Sequence, residues 1–129
     1  MTGKRILVVD DDPAVRLMFR LIFESDGYQV SEARNGVSAL ILIKDSLPNL
    51  VVTDMVMPQM SGQELIERLR SDDRTARLLI LAVTGHPAAK QQASAADGVL
   101  EKPIDRLDLL ARVSSLIGER DREDHLSDS

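Results

Sequence analysis

The chain has 129 residues, 43% of them hydrophobic, with a net charge of −5 and no cysteine. That length fits one domain whose core buries well over half of the unfolded chain's surface, and the missing cysteines exclude disulfides and thiolate metal sites. The acidic balance, the lack of a basic stripe and the scarcity of aromatics (Phe19, Phe23 and Tyr28) argue against autonomous nucleic-acid binding. No apolar run approaches the roughly 18 residues of a membrane span. "MTGKRILVVD" carries an apolar stretch too short for a signal peptide, so a cytoplasmic location is expected.

Strand and helix signals alternate along the chain. Lys4–Asp10 reads as a short buried strand rich in Ile, Leu and Val. Asp12 can N-cap a helix and Pro13 suits its first position; Val15, Met18, Phe19, Ile22 and Phe23 then recur at helical spacing to about Asp26, where Gly27 stops the helix. Tyr28–Ala33 alternates as a strand does. Asn35-Gly36 turns the chain into a helix over Val37–Asp45. "NLVVT", Asn49–Thr53, is a second buried strand with Asp54 at its end. Pro58 and Gly62 bracket a loop, and Gln63–Ser71 is helical with Leu65, Ile66 and Leu69 on one face. Methionines 55, 57 and 60 are expected to pack against core and loop.

Leu78–Val83 is the most apolar strand, stopped by Thr84-Gly85. Ala88–Ala96 reads as an alanine-rich helix with a weak apolar face, Gly98–Glu101 as a short strand stopped by Lys102-Pro103, and Asp105–Gly118 as a final helix. "ERDREDHLSDS", residues 119–129, has no apolar face and reads as a flexible polar tail. Strict alternation of five strands with five helices implies an α/β fold, a parallel sheet covered on both faces.

Such a sheet binds ligands beyond the carboxyl ends of its strands, at the switch in strand order. For the order 2-1-3-4-5 the switch lies between the first and third strands, which end in Asp10-Asp11 and Asp54. The next two strands end in Thr84 and Lys102. Two carboxylates about 5 Å apart repel by roughly 3 kcal/mol at an effective dielectric near 20. Three therefore need counter-charge, which Lys102 and a hard divalent cation such as Mg2+ can supply. A carboxylate can itself attack phosphorus, with Mg2+, lysine and a hydroxyl offsetting charge on the phosphoryl oxygens.

The motifs "VVDDD" (8–12), "VVTDMVMPQMSG" (51–62), "LAVTG" (81–85) and "EKP" (101–103), each after an apolar strand, resemble those of the receiver domain of bacterial two-component response regulators. The resemblance covers residues 4–118 and implies a flavodoxin-like fold of the single-domain, chemotaxis type. It implies that Asp54 is the phosphoacceptor, that Asp10 and Asp11 bind Mg2+, Asp11 directly and Asp10 largely through water, and that Asp54 and the Val56 carbonyl complete the ligands. Thr84 would be the switch hydroxyl, Lys102 the phosphate-pairing lysine, and Pro103 would follow a cis peptide. The chain departs from the usual pattern at Val99, where receivers carry Tyr or Phe, at Ala95, usually Gly, and at the apolar Val56 two residues after the phosphoacceptor.

The implied function is a signalling module rather than an enzyme acting on other substrates. It would promote its own phosphorylation and dephosphorylation, taking a phosphoryl group from a histidine kinase or a histidine phosphotransfer protein. The phosphorylated form would change its binding of a downstream protein through the helices at 88–96 and 105–118, or relay the group onward. With only a polar tail after the receiver, no output domain is expected; a receiver cut from a longer transcriptional regulator is the variant of this reading. Asp10-x-Asp12 also resembles the nucleophile motif of haloacid-dehalogenase-type phosphatases, but that reading leaves Asp54 unexplained. A flavodoxin-type electron carrier lacks its Ser/Thr/Gly-rich phosphate loop here. His86 lies two residues beyond Thr84, at the rim of the expected pocket.

Overall fold

A computed structural model describes residues 3–85 and 91–127. The elements run β1 (Arg5–Val9), α1 (Pro13–Ser25), β2 (Gln29–Ala33), α2 (Gly36–Asp45), β3 (Leu50–Asp54), α3 (Gly62–Ser71), β4 (Leu79–Thr84), β5 (Gly98–Glu101) and α4 (Arg106–Ser127). All strand pairs are parallel, in the order β2-β1-β3-β4-β5. The alternation of side chains along each strand sorts the core into two layers. Ile6 and Val8 point to the side of Phe19 and Phe23 from α1 and Leu109, Val113 and Ile117 from α4. Leu7 and Val9 point to the other side, against Ala39 and Ile43 of α2 and Leu65, Ile66 and Leu69 of α3. Ile6–Val9, Leu50–Val52 and Leu79–Val83 of the central strands are apolar because both faces of these strands are covered.

Helix starts follow the local chemistry. The Asp12 carboxylate accepts from the Ala14 N–H at 2.9 Å, Asn35 from Ser38 at 2.8 Å and Ser61 from Glu64 at 3.1 Å. Phe19 and Phe23 stack at 5.9 Å, and Tyr28 meets Phe23 edge-on at 6.2 Å, so the scarce aromatics form one cluster under α1. Met55, Met57 and Met60 are buried, as expected. Lys102-Pro103 is cis.

Two expectations are corrected. Four helices, not five, occur among the described residues. The helix expected over Ala88–Ala96 begins outside them, as does His86, and 91–95 form turns, closed by Ser94 N–H to Gln91 O at 3.3 Å and Ala96 N–H to Ala93 O at 2.9 Å. Among the described residues of this alanine-rich stretch only Ala93 is buried, which gives a helix little to dock with there. The tail expected from 119 instead continues α4 through Ser127. Its charges hold it to the domain: Asp121 lies 3.2 Å from the Lys4 ammonium, Asp124 3.5 Å from the Arg77 guanidinium, and Arg120 donates to the Arg77 carbonyl.

Gly118 is thus a helix-interior glycine rather than a stop, and a Cβ there meets nothing within 4 Å. Gly118→Ala should stabilise the protein by about 0.5–1 kcal/mol, raising Tm by about 2–4 °C in calorimetry. An unchanged or lowered Tm would mean that the helix ends at 118. Gly62→Ala should do the opposite, by about 1–3 kcal/mol, because its Cβ would stand 2.3 Å from the Asp54 carbonyl oxygen and 2.7 Å from Met55 Cα, backbone atoms that cannot swing aside.

Candidate functional site

The sheet register assembles the site. Val9 pairs with Thr53, so the next residues, Asp10 and Asp54, leave β1 and β3 side by side. Asp54 pairs with Val83, which sets Thr84 one step further along β4, and Thr84 pairs with Glu101, which puts Lys102 just beyond. The Lys102 N–H donates to the Thr84 carbonyl at 2.8 Å and extends that ladder. Candidate oxygens of Asp10, Asp11 and Asp54 lie within 4.8 Å of one another. Lys102 Nζ stands 3.5 Å from Asp54 Oδ1. Asp10, Asp11, Asp54, Thr84 and Lys102 are therefore gathered on one rim. Val56 lies in the loop leaving β3, its side chain exposed.

Each acid is held differently. Asp10 is 3% exposed; its Oδ1 accepts from the Asp12 N–H at 2.9 Å, and its own N–H donates to Ala33 O at 3.1 Å. Asp54 Oδ1 accepts from the Met55 N–H at 2.9 Å. Asp11 is exposed, open to solvent and to a ligand. Asp12 is committed to capping α1, which removes the second acid of the phosphatase-like reading. The loop after Asp54 is pinned by its methionines and by the Gly62 N–H, which donates to Met55 O at 3.0 Å.

Burial raises the Asp10 carboxyl above its ordinary range; the Asp12 N–H and Lys102 oppose this, and the charges of Asp54 and Asp11 add to it. Among the described residues, three carboxylates and the paired Lys102 ammonium leave a local charge of −2. The donor set suits a hard cation. Asp10, Asp11 and Asp54, with oxygens within 4.8 Å of one another, could hold Mg2+, which would supply positive charge at the rim.

Two residues of the site's support carry no motif. Arg16 Nη1 donates to the Asp10 carbonyl at 2.7 Å, and Arg16 Nε to Glu32 Oε1 at 3.1 Å. The guanidinium of Arg20, whose Nε donates to Glu32 at 2.7 Å, together with that of Arg16, holds the Glu32 carboxyl below its usual range.

The family model for the response regulator receiver domain matches residues 6–114. A DNA-binding dual master transcriptional regulator from Synechocystis sp., RpaA, is 38% identical over 122 residues, 92% of this chain and 51% of its own length. The chain spans about half the length of curated regulators of this kind. A CheY-like receiver domain protein from Methanospirillum hungatei superposes with a TM-score of 0.87 at 31% identity, covering 95% of this chain and 99% of its own. The response regulator TrrA from Thermotoga maritima, solved in complex with Mg2+ and BeF, gives 0.82 at 30% identity over 88% of this chain and 98% of its own.

The raised Asp10 carboxyl binds its proton more tightly in the folded than in the unfolded state, so ionised Asp10 costs stability near neutral pH, and the cost lifts as pH falls through the folded value. In chelator, Asp10→Asn should raise Tm at neutral pH and gain less in acid, as pH falls through the folded Asp10 value and the wild type takes up the proton itself. Thermal melts of both proteins across pH check this; equal Tm values at neutral pH would count against it.

Proposed function

The chain belongs to the response regulator receiver domain family, and from that premise we propose that it accepts a phosphoryl group on Asp54 and switches partner binding, or passes the group on. The observation that carries this reading is the convergence of the acidic triad, within 4.8 Å, with Lys102 at 3.5 Å from Asp54. Of the two buried-side acids, Asp54 is the one paired with the lysine, while Asp10 is 3% exposed and turned onto the Asp12 N–H.

A carboxylate oxygen of Asp54 attacks the phosphorus of a phosphohistidine on a histidine kinase or phosphotransfer protein. The new O–P bond forms as the P–N bond breaks, and the bond's electron pair stays on the imidazole nitrogen, which takes up a proton. Mg2+, when bound by Asp10, Asp11, Asp54 and the Val56 carbonyl, supplies positive charge beside the transferring oxygens. Lys102 pairs with the arriving phosphoryl group, and Thr84, at the end of β4, offers its hydroxyl to it. TrrA's complex with Mg2+ and BeF supports the same ion at this site. The proposed role is cytoplasmic signalling without turnover of another substrate. The downstream partner docks on the segment before β5 and on α4, whose first turn leaves Leu107 73% exposed.

Asp54→Asn should abolish the gain of one phosphate's mass after incubation with acetyl phosphate and Mg2+, while the wild type gains it. Mass spectrometry reads both, and phosphorylation of the Asn variant at the wild-type rate would refute the assignment. Thr84→Ala should still be phosphorylated but lose much of the difference in partner affinity with and without beryllofluoride. Val99→Ala should keep that difference and lose about 1–3 kcal/mol of stability in denaturation.

A further inference from the structure

The acidic turn is fastened from behind by an ion-pair relay that the phosphoryl chemistry does not itself use. Asp10 leaves β1 with its carbonyl facing α1, where Arg16 Nη1 donates to it at 2.7 Å. The same guanidinium donates through Nε to Glu32 Oε1 at 3.1 Å, on β2. Glu32 is steadied in turn by Arg20 Nε on its other oxygen at 2.7 Å, and Arg20 Nη1 reaches Glu24 at 2.6 Å. The Arg16 side chain is only 18% exposed, so these bonds compete weakly with water. Arg16 thus bridges the main chain of a metal-facing residue to the neighbouring strand, while Arg20 supports only the strand side.

We infer that Arg16 is a positioning residue for the cation site, setting the Asp10-Asp11 turn through the Asp10 carbonyl, with Glu32 as its anchor. The inference rests on the reading of this rim as a Mg2+ site. Charge alone makes the opposite prediction. Removing a cation beside three carboxylates, and leaving Glu32 paired with Arg20 alone, makes the rim more negative and should tighten Mg2+ binding. Loss of positioning weakens it, typically tenfold or more for an outer-shell partner. The sign of the change separates the two.

The test is calorimetric titration of Mg2+ alone into the full chain, without phosphodonor, for the wild type, Arg16→Ala and Arg20→Ala, with a thermal melt of each. Arg20→Ala removes ion pairs to the same glutamate but none to Asp10, so it should lower Tm and leave the Kd within about twofold. Arg16→Ala should raise the Kd about tenfold. If Arg16→Ala does not fold, Arg16→Lys carries the test: one ammonium cannot span Asp10 O and Glu32 as two guanidinium nitrogens do, and the Kd should rise severalfold. A Kd at or below the wild-type value for the Arg16 variant, or an equal weakening in Arg20→Ala, would overturn the inference. A wild type that binds no Mg2+ would overturn the functional reading beneath it as well.

Discussion

Three carboxylates stand within 4.8 Å of one another at the rim of a sheet, and two of them cannot move apart. Asp10 and Asp54 sit one step past the Val9–Thr53 rung of β1 and β3, the central pair of strands, both flanked by further strands and covered on both faces. The backbone that would have to shift to relieve the repulsion is the backbone that carries the core. The fold accordingly surrounds the acids with fixed partial or whole positive charge: the Asp12 and Met55 N–H groups, the Lys102 ammonium and, behind Asp10, the Arg16 guanidinium. None of these fully neutralises the rim. The remaining negative charge suits the rim to a cation, and it is also a standing cost to stability, the usual trade at a functional site.

Most of this was legible in the sequence because strand ends are local. The runs Ile6–Val9, Leu50–Val52 and Leu79–Val83 are apolar without interruption, as strands covered on both faces must be, and the residues that close these strands name the rim directly. The alternation of elements implied a parallel sheet covered on both faces, and the order 2-1-3-4-5 is the one the receiver resemblance implied. What was not legible depends on partners far apart in the chain. Arg16 and Glu32 are unremarkable charges until β2 is laid beside β1, which brings a helix residue and a strand residue onto one carbonyl. Residues 119–127 lack an apolar face, so periodicity gives no reason for a helix; ionic ties to Lys4, near the opposite end of the chain, and to Arg77, just before β4, supply one. The turns at 91–95 reflect the reverse failure. Alanine favours a helix intrinsically, but a short alanine-rich segment with one buried residue has little packing to hold it.

The same logic of distant ties constrains α3 at both ends. At its start Gly62 lies so close to the Asp54 carbonyl that no side chain fits between them. At its end Arg70 donates to the carbonyls of Ala76, Leu78 and Ala95 at 3.1, 2.7 and 3.0 Å and pairs with Asp97 at 2.8 Å. Asp97 in turn accepts from the Ile80 N–H at 2.8 Å, while its own N–H donates to Ile80 O at 2.8 Å. One helix therefore touches the proposed phosphoacceptor loop with its first residue and clamps the stretch leading into β5 with its ninth. Between these points Leu65, Ile66 and Leu69 are fully packed, so the helix has no slack along its length. The stretch before β5 is fastened at Asp97, at the far edge of the sheet from the acids, whereas Thr84 at the end of β4 lies on their side.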